Sequence, residues 1–180
     1  VVLYNQAALR VMKKNKIRVI TGTASFRDAH TLDIKTPDGK EESLAFKNAI
    51  VATGSKPNIP PSFQFDKKRV ISSTEALSLG EILKTLCIVG AGVIGLELGS
   101  VFARLGTQVD VIEYMDRILP GMDLDCAQTL QKSLTGLGIR FHLSRSVKSV
   151  IPHEAHAAVD FSGPDGKDPE TLKADYCLVC

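Results

Sequence analysis

The sequence lacks any apolar run near the ~20 residues that a helix needs to cross a bilayer. It also lacks an excess of either charge, since 22 basic side chains accompany 20 acidic ones and the formal net charge is only +2. A nucleic acid or an anionic membrane is therefore not expected as a partner. Four scattered cysteines do not form the pattern of a disulfide framework, and no signal-like segment is visible, so we expect a cytoplasmic protein.

What is present is enough apolar sequence for a hydrophobic core, because 44% of the residues are hydrophobic. The first part of the chain is β-rich and ends in a proline-containing stretch. Its patterns predict a helix at residues 6–15 and a strand at residues 17–20. A hairpin turn is predicted at Asp38 and Gly39. An apolar strand at residues 49–54 and a linker at residues 56–70 are expected to follow.

The second part of the chain alternates strand and helix patterns and then continues as further strands. Ser72 and Glu75 fit a capping box, so a short helix is expected to begin there. Amphipathic helices are predicted after the first and second strands, and the later apolar runs predict a β-meander. The order predicts an α/β fold, with a parallel sheet in residues 72–180 and a β-rich piece plus linker in residues 1–71.

A glycine cluster lies directly after the first strand of this second part. Gly90, Gly92 and Gly95 spell G-x-G-x-x-G at the start of a predicted helix. The first glycine allows the tight turn, the second lets the backbone approach a pyrophosphate, and the third allows close helix–strand packing. The helix N-terminus then offers N–H groups and a positive dipole end to the phosphates, which predicts a dinucleotide site.

An acidic residue at the end of the second strand completes the pattern. Glu113 follows the glycines at the ~20-residue spacing at which an acid binds the adenosine ribose hydroxyls. A carboxylate accepts hydrogen bonds from a 2′-hydroxyl and repels a 2′-phosphate, so NAD is favoured over NADP. Arg117 is the nearby basic residue that would soften this preference.

The stretch "GAGVIGLELGSVFARLGTQVDVIE", preceded by "IVATGSKP" and "VISSTEALSL", resembles the middle of the flavin- and pyridine-nucleotide-linked disulfide reductases, and among them the dihydrolipoyl dehydrogenase family. The resemblance covers essentially the whole chain in order. It implies that residues 1–71 are part of an FAD-binding domain with a linker, and that residues 72–180 are a Rossmann-like NAD-binding domain. It also implies that the cofactors are FAD and NAD.

The resemblance further implies which residues contact the cofactors. Those expected beside FAD are Ala24, Thr53, Gly54 and Ser55. Those expected beside NAD are Gly90, Ala91, Gly92, Val93, Ile94, Gly95, Leu96, Glu97, Glu113 and Val147. Glu97 resembles a family glutamate that pairs with a lysine beside the flavin, and that lysine is absent from this sequence.

The same resemblance implies an activity for the intact family protein. Protein-bound dihydrolipoamide is oxidised through a redox disulfide and FAD, with hydride transfer to NAD. The partners are lipoyl-bearing acyltransferase subunits of 2-oxo acid dehydrogenase complexes, and a C-terminal domain forms a homodimer. The family's first glycine fingerprint, its redox cysteine pair and its His-Glu dyad do not occur here. We therefore assign no catalytic residue and expect this chain to be inactive alone.

Other functions are open at this point. A soluble pyridine nucleotide transhydrogenase shares the motifs, whereas mercuric and glutathione-type reductases typically carry basic residues near the position of Glu113. A free-standing regulatory nucleotide-binding module is a further alternative from another class.

Three short patterns receive structural interpretations. Cys177 and Cys180 form a C-x-x-C on an apolar strand rather than at a helix start, so a redox site is disfavoured. His153 and His156 are spaced for a turn and not for a helical metal site, and no metal is expected. The basic cluster of Lys13, Lys14, Lys16 and Arg18 is expected to be a solvated helix end rather than a nucleic-acid patch.

Overall fold

The computed structural model describes residues 2–180 of the chain and gives side-chain environments from Gln6 onward. The chain forms two compact units, Val1–Gly54 and Ser55–Cys180. Among the described residues, no helix is both long and apolar enough to cross a membrane.

The first unit contains one helix and a three-stranded antiparallel sheet. Its elements are α1 (Val2–Lys14), β1 (Thr23–Asp28), β2 (Thr31–Lys35) and β3 (Glu41–Ala45), with the sheet order β1-β2-β3. The predicted hairpin is confirmed: Gly39 adopts a φ of 82° and donates its N–H to the Thr36 carbonyl at 2.9 Å. Ile34 is the one buried apolar side chain described in this unit.

Two strands predicted in the first unit are wrong. Residues 17–20 and residues 49–54 have apolar, β-favouring sequences but adopt no strand. Ile50 is 94% exposed. A strand is stabilised by hydrogen bonds to a neighbouring strand, and neither run pairs with one in the part of the chain that the structure describes.

The second unit contains three helices and two sheets. Its elements are β4 (Val70–Ile71), α2 (Ser73–Ala76), β5 (Thr85–Val89), α3 (Val93–Arg104), β6 (Gln108–Ile112), α4 (Leu124–Gly136), β7 (Arg140–His142), β8 (Ser146–Pro152), β9 (Ala157–Ser162), β10 (Glu170–Ala174) and β11 (Tyr176–Val179). A five-stranded parallel sheet has the order β4-β11-β5-β6-β7, and an antiparallel sheet has the order β10-β9-β8. The predicted α/β fold with a parallel sheet and a β-meander is confirmed.

The parallel sheet is buried on both faces, which explains why its strands are apolar runs rather than alternating ones. On one face, Leu86 and Ile88 of β5 pack with side chains of the three helices. On the other face, Cys87 packs with side chains of the antiparallel sheet. The unit therefore has three layers, with helices on one side of the parallel sheet and strands on the other.

The proline-containing stretch before β4 is part of the second unit and packs within it, rather than forming a free linker. Phe63 is buried, forms a bridge with Val150, and is followed by Gln64, whose N–H donates to the Val150 carbonyl at 2.9 Å. β4 then joins the parallel sheet beside β11. The compact units thus divide between Gly54 and Ser55. The assignment of residues 1–71 and 72–180 to FAD and NAD stays a prediction.

Side chains cap the N-termini of α2 and α4. The Ser72 hydroxyl accepts from the Thr74 N–H at 3.3 Å, and the Glu75 carboxylate accepts from the Ser72 N–H at 3.0 Å, which is the predicted capping box. Asp123 caps α4 through the N–H groups of Asp125 and Cys126. Strand β10 was not predicted, because its sequence "ETLKA" is mostly polar and exposed.

Candidate nucleotide-binding site

The glycine turn lies between the end of β5 and the start of α3, where two of its glycines meet backbone. Gly90 has a φ of +105°, and a Cβ there would lie 2.6 Å from the Cys180 carbonyl oxygen. A Cβ on Gly95 would lie 2.7 Å from the Gly90 carbonyl oxygen and 3.0 Å from Ile88. A larger residue at either position would collide with backbone, so both glycines are required by packing.

The N-terminus of α3 presents backbone N–H donors that no side chain caps. Gly92 is the N-cap residue, and no side chain caps the helix there. Apart from Gly92 itself and its two chain neighbours, nothing lies within 4 Å of the position that a Gly92 Cβ would occupy, so the turn faces open space. The first N–H groups of a helix have no intrahelical partner, and at this end they are available to an anion.

The Glu113 carboxylate is held against this turn by two backbone donors. Its Oε2 accepts from the Ala91 N–H at 2.7 Å, and its Oε1 accepts from the Met115 N–H at 2.8 Å. Each oxygen keeps a lone pair that a hydroxyl group can use. The carboxylate is therefore fixed beside the glycine turn and still able to accept from a ribose.

A cavity of about 300 Å³ brings three of the predicted residues together, namely Gly90, Glu113 and Val147. Its other lining residues were not predicted as site residues: Asn58, Pro60, Phe63, Val89, Ile112, Tyr114, Arg145, Ser146, Val179 and Cys180. A usable signal existed for part of this set. Ligands bind at the carboxyl ends of parallel strands, and residues 143–147 follow β7 at the same edge as Glu113.

The cavity contains one acidic and one basic side chain among its lining residues, all of which lie in the described part of the chain. These are Glu113 and Arg145. Partial burial, with a smaller contribution from Cys177, raises the pKa of the Cys180 thiol to about 11. This thiol is therefore uncharged near neutral pH, so Glu113 and Arg145 are the charged side chains of the cavity lining.

The remaining predicted residues lie in different environments. In α3 and the turn before it, Ala91, Gly95 and Leu96 are buried, whereas Val93, Ile94 and Glu97 are exposed. Of the residues expected beside FAD, Ala24 lies on the exposed strand β1, and Thr53, Gly54 and Ser55 form an exposed segment without regular structure. The cofactor contacts expected of all these residues stay predictions.

The residues of this chain fit NAD better than they fit FAD. For NAD, the open glycine turn, the uncapped helix end and the fixed carboxylate fit a pyrophosphate and a ribose. For FAD, the fit is limited to Gly54, which has a φ of +74° and open space at its Cβ position.

The cysteines and the histidine pair lie outside the glycine turn, in several different environments. Cys87 and Cys177 are fully buried on adjacent strands, and a hydrogen bond between them, together with burial, raises the pKa of Cys87. Cys126 is exposed. His153 and His156 lie at the β8–β9 turn with their rings stacked at 4.7 Å. Among the described residues, no group of three or more His, Cys, Asp or Glu side chains is placed to hold a metal ion.

The fold and the glycine turn define a class of protein. The chain matches the pyridine nucleotide-disulphide oxidoreductase family over residues 3–180, and it belongs to this family. Members of the family use FAD and NAD(H).

The curated relatives of the chain include proteins named dihydrolipoyl or dihydrolipoamide dehydrogenase. The chain is 43% identical over 169 residues to dihydrolipoyl dehydrogenase 3 of Pseudomonas putida, covering 94% of this chain and 36% of the relative. It is 40% identical over 170 residues to a dihydrolipoamide dehydrogenase of Chaetomium thermophilum, covering 94% of this chain and 34% of the relative. The chain therefore spans about a third of the length of these relatives. A mitochondrial dihydrolipoyl dehydrogenase of Schizosaccharomyces pombe also matches, so the expected cytoplasmic location stays a prediction.

Solved structures agree on the fold. LpdA of Mycobacterium tuberculosis superposes with a TM-score of 0.83 at 27% identity, covering 98% of this chain and 39% of that chain. The flavoprotein disulfide reductase RclA of Escherichia coli superposes with a TM-score of 0.79 at 28% identity, covering 99% and 39%.

Proposed function

We propose that this chain is the NAD-binding central part of a dihydrolipoyl dehydrogenase. The observation that carries the proposal is the Glu113 carboxylate, held by the Ala91 and Met115 N–H groups beside the glycine turn. The names of the curated relatives support the lipoamide-oxidising branch.

The proposed role of the chain's own residues is binding and orientation. The N–H groups at the start of α3 hold the pyrophosphate, and the free lone pairs of Glu113 accept from the adenosine ribose hydroxyls. Val147 supplies an apolar wall to the same cavity. Glu97, which is exposed on α3, is proposed to help to place the nicotinamide against the flavin. When bound, FAD and NAD supply the electron and hydride chemistry, so the chain contributes geometry and charge.

The proposed parent acts on protein-bound dihydrolipoamide carried by acyltransferase subunits of 2-oxo acid dehydrogenase complexes. It passes the electrons to NAD through a redox disulfide and FAD, and it is a homodimer. These properties rest on the resemblance of this chain to relatives named dihydrolipoyl dehydrogenase.

Calorimetric titration of the 180-residue chain with NAD tests the proposed site. In the Glu113→Gln variant we expect NAD affinity to fall roughly 10-fold or more, since hydrogen bonds to a charged group contribute about 1.5–3 kcal/mol. Asp116→Asn is the matched control, because it also removes one negative charge. Asp116 lies three residues after Glu113, its side chain is exposed, and it does not line the cavity. Equal NAD binding by wild type and Glu113→Gln, or no NAD binding by wild type, would contradict the proposal.

A further inference from the structure

Arg145 lies in the same cavity as the ribose-binding acid, although the two residues are far apart in sequence. β7 pairs with β6, and after β7 ends the chain turns back so that the Arg145 N–H donates to the Glu113 carbonyl at 2.9 Å. Both residues line the cavity beside Gly90. The edge of the parallel sheet thus brings a cation and an anion to one site.

The Arg145 guanidinium is only loosely engaged. One of its terminal nitrogens lies 3.3 Å from the Glu170 carboxylate on β10, and the Arg145 side chain is 29% exposed. A guanidinium has five N–H donors in a planar fork, so this single long ion pair leaves most of them available. Arg145 can therefore bind an additional anion without breaking a tight structural pair.

Arg145, rather than Arg117, is the cation at the nucleotide cavity. The sequence indicates Arg117 as the basic residue that would soften the preference for NAD, because it lies close to Glu113 along the chain. In the structure, Arg117 donates to the Pro120 carbonyl at 2.5 Å and does not line the cavity.

We propose that Arg145 is a specificity-determining residue that faces the 2′ position of the adenosine ribose and offsets the repulsion of a 2′-phosphate by Glu113. The inference rests on the proposed NAD site. A carboxylate alone excludes the 2′-phosphate of NADP, whereas a guanidinium recognises phosphate oxygens in a bidentate geometry. Arg145 therefore limits how strongly this chain discriminates between NAD and NADP.

The test compares NAD and NADP binding by calorimetry in the 180-residue chain. In a Glu113→Gln background, where the repelling charge is removed, we expect measurable NADP binding. Adding Arg145→Ala to that background should weaken NADP binding roughly 10-fold while changing NAD binding by less than about twofold, because only the 2′-phosphate loses a charged partner. Arg145→Lys, which keeps the charge, should retain part of the NADP affinity.

Arg117→Ala is the matched control, since it removes the same charge outside the cavity and should leave the ratio of NADP to NAD affinity unchanged. Glu170→Gln should tighten NADP binding a few-fold by releasing Arg145. Circular dichroism melts confirm that each variant is folded.

Two results would overturn the inference while sparing the proposed function: NAD binding that depends on Glu113 together with NADP binding that is insensitive to Arg145, or equal weakening of NAD and NADP by Arg145→Ala. Absence of NAD binding by the wild-type chain would overturn both the proposed function and this inference.

Discussion

In Ser55–Cys180, clusters of buried side chains cover both faces of the parallel sheet, whereas Ile34 is the one buried apolar side chain described in residues 6–54. The first unit also exposes large apolar side chains such as Phe26 and Ile50. A three-stranded sheet without a packed face is marginally stable in water. The candidate nucleotide cavity, by contrast, is built on the unit that has a complete core. Rigid support of this kind is what a binding site needs in order to hold its donors and acceptors in position.

The largest effect that tests this comparison is expected in the core. Ile88→Ala removes a fully buried side chain of β5, and the expected loss is about 3–4 kcal/mol of unfolding free energy. Phe26→Ala removes a side chain that is 55% exposed on β1, and should cost under about 1 kcal/mol. Native-state hydrogen exchange, read separately for β5 and β1, measures both. Similar costs at the two sites would show that the first unit is as well packed as the second.

A matched pair of Arg–Asp interactions gives the next largest difference. In the second unit, Arg140 binds both carboxylate oxygens of Asp110, at 2.8 and 2.5 Å, and only 6% of the Asp110 side chain is exposed. His142 also contacts this carboxylate at 2.9 Å. Arg140→Ala leaves the buried Asp110 carboxylate with one partner, and because the Arg140 side chain is 55% exposed, the expected cost is about 2 kcal/mol.

In the first unit, Arg27 binds both oxygens of Asp33 in the same way, but both side chains are exposed. Arg27→Ala should therefore change stability little, and the change should shrink further in high salt. Hydrogen bonds from Ser43 and then Arg27 lower the pKa of Asp33. The stabilisation from this carboxylate is accordingly present above its unfolded pKa and is lost as the pH falls. Hydrogen exchange at neutral pH, with and without salt, measures the stability change in Arg27→Ala and in Arg140→Ala. A large loss of stability in Arg27→Ala that does not depend on salt would be the contrary result.

The smallest expected effect concerns side-chain hydroxyls. Ser72 is buried and caps α2, so Ser72→Ala should cost about 1 kcal/mol. In the first unit, the Thr36 hydroxyl donates to the exposed Asp38 carboxylate, and the Lys40 carbonyl lies 3.0 Å from the same hydroxyl across the hairpin turn. Water can replace that bond, so Thr36→Ala should be nearly neutral. Thermal unfolding followed by circular dichroism suits both variants, and a larger loss for Thr36→Ala would reverse the ranking.

The sequence predicted the second unit better than the first, and particular elements explain the difference. Strand β5 and helix α3 have strong apolar periods with clear turn residues, and both formed as predicted. Residues 49–54 have an equally apolar sequence, yet they form no strand. Strand formation depends on a neighbour that local sequence cannot specify, and for the same reason the polar strand β10 was missed.

By itself, the sequence determined the strand–glycine turn–helix unit and the acid that follows it. Gly90, Gly95 and Glu113 act through local backbone geometry and near-neighbour spacing, which the order of residues specifies. Only the tertiary structure decided which basic residue accompanies that acid. Arg117 is close along the chain but bonds elsewhere, whereas Arg145 reaches the cavity because β7 pairs in parallel with β6. Parallel pairing brings the carboxyl ends of strands together across long stretches of sequence, so the charge balance of the site is a property of the folded sheet.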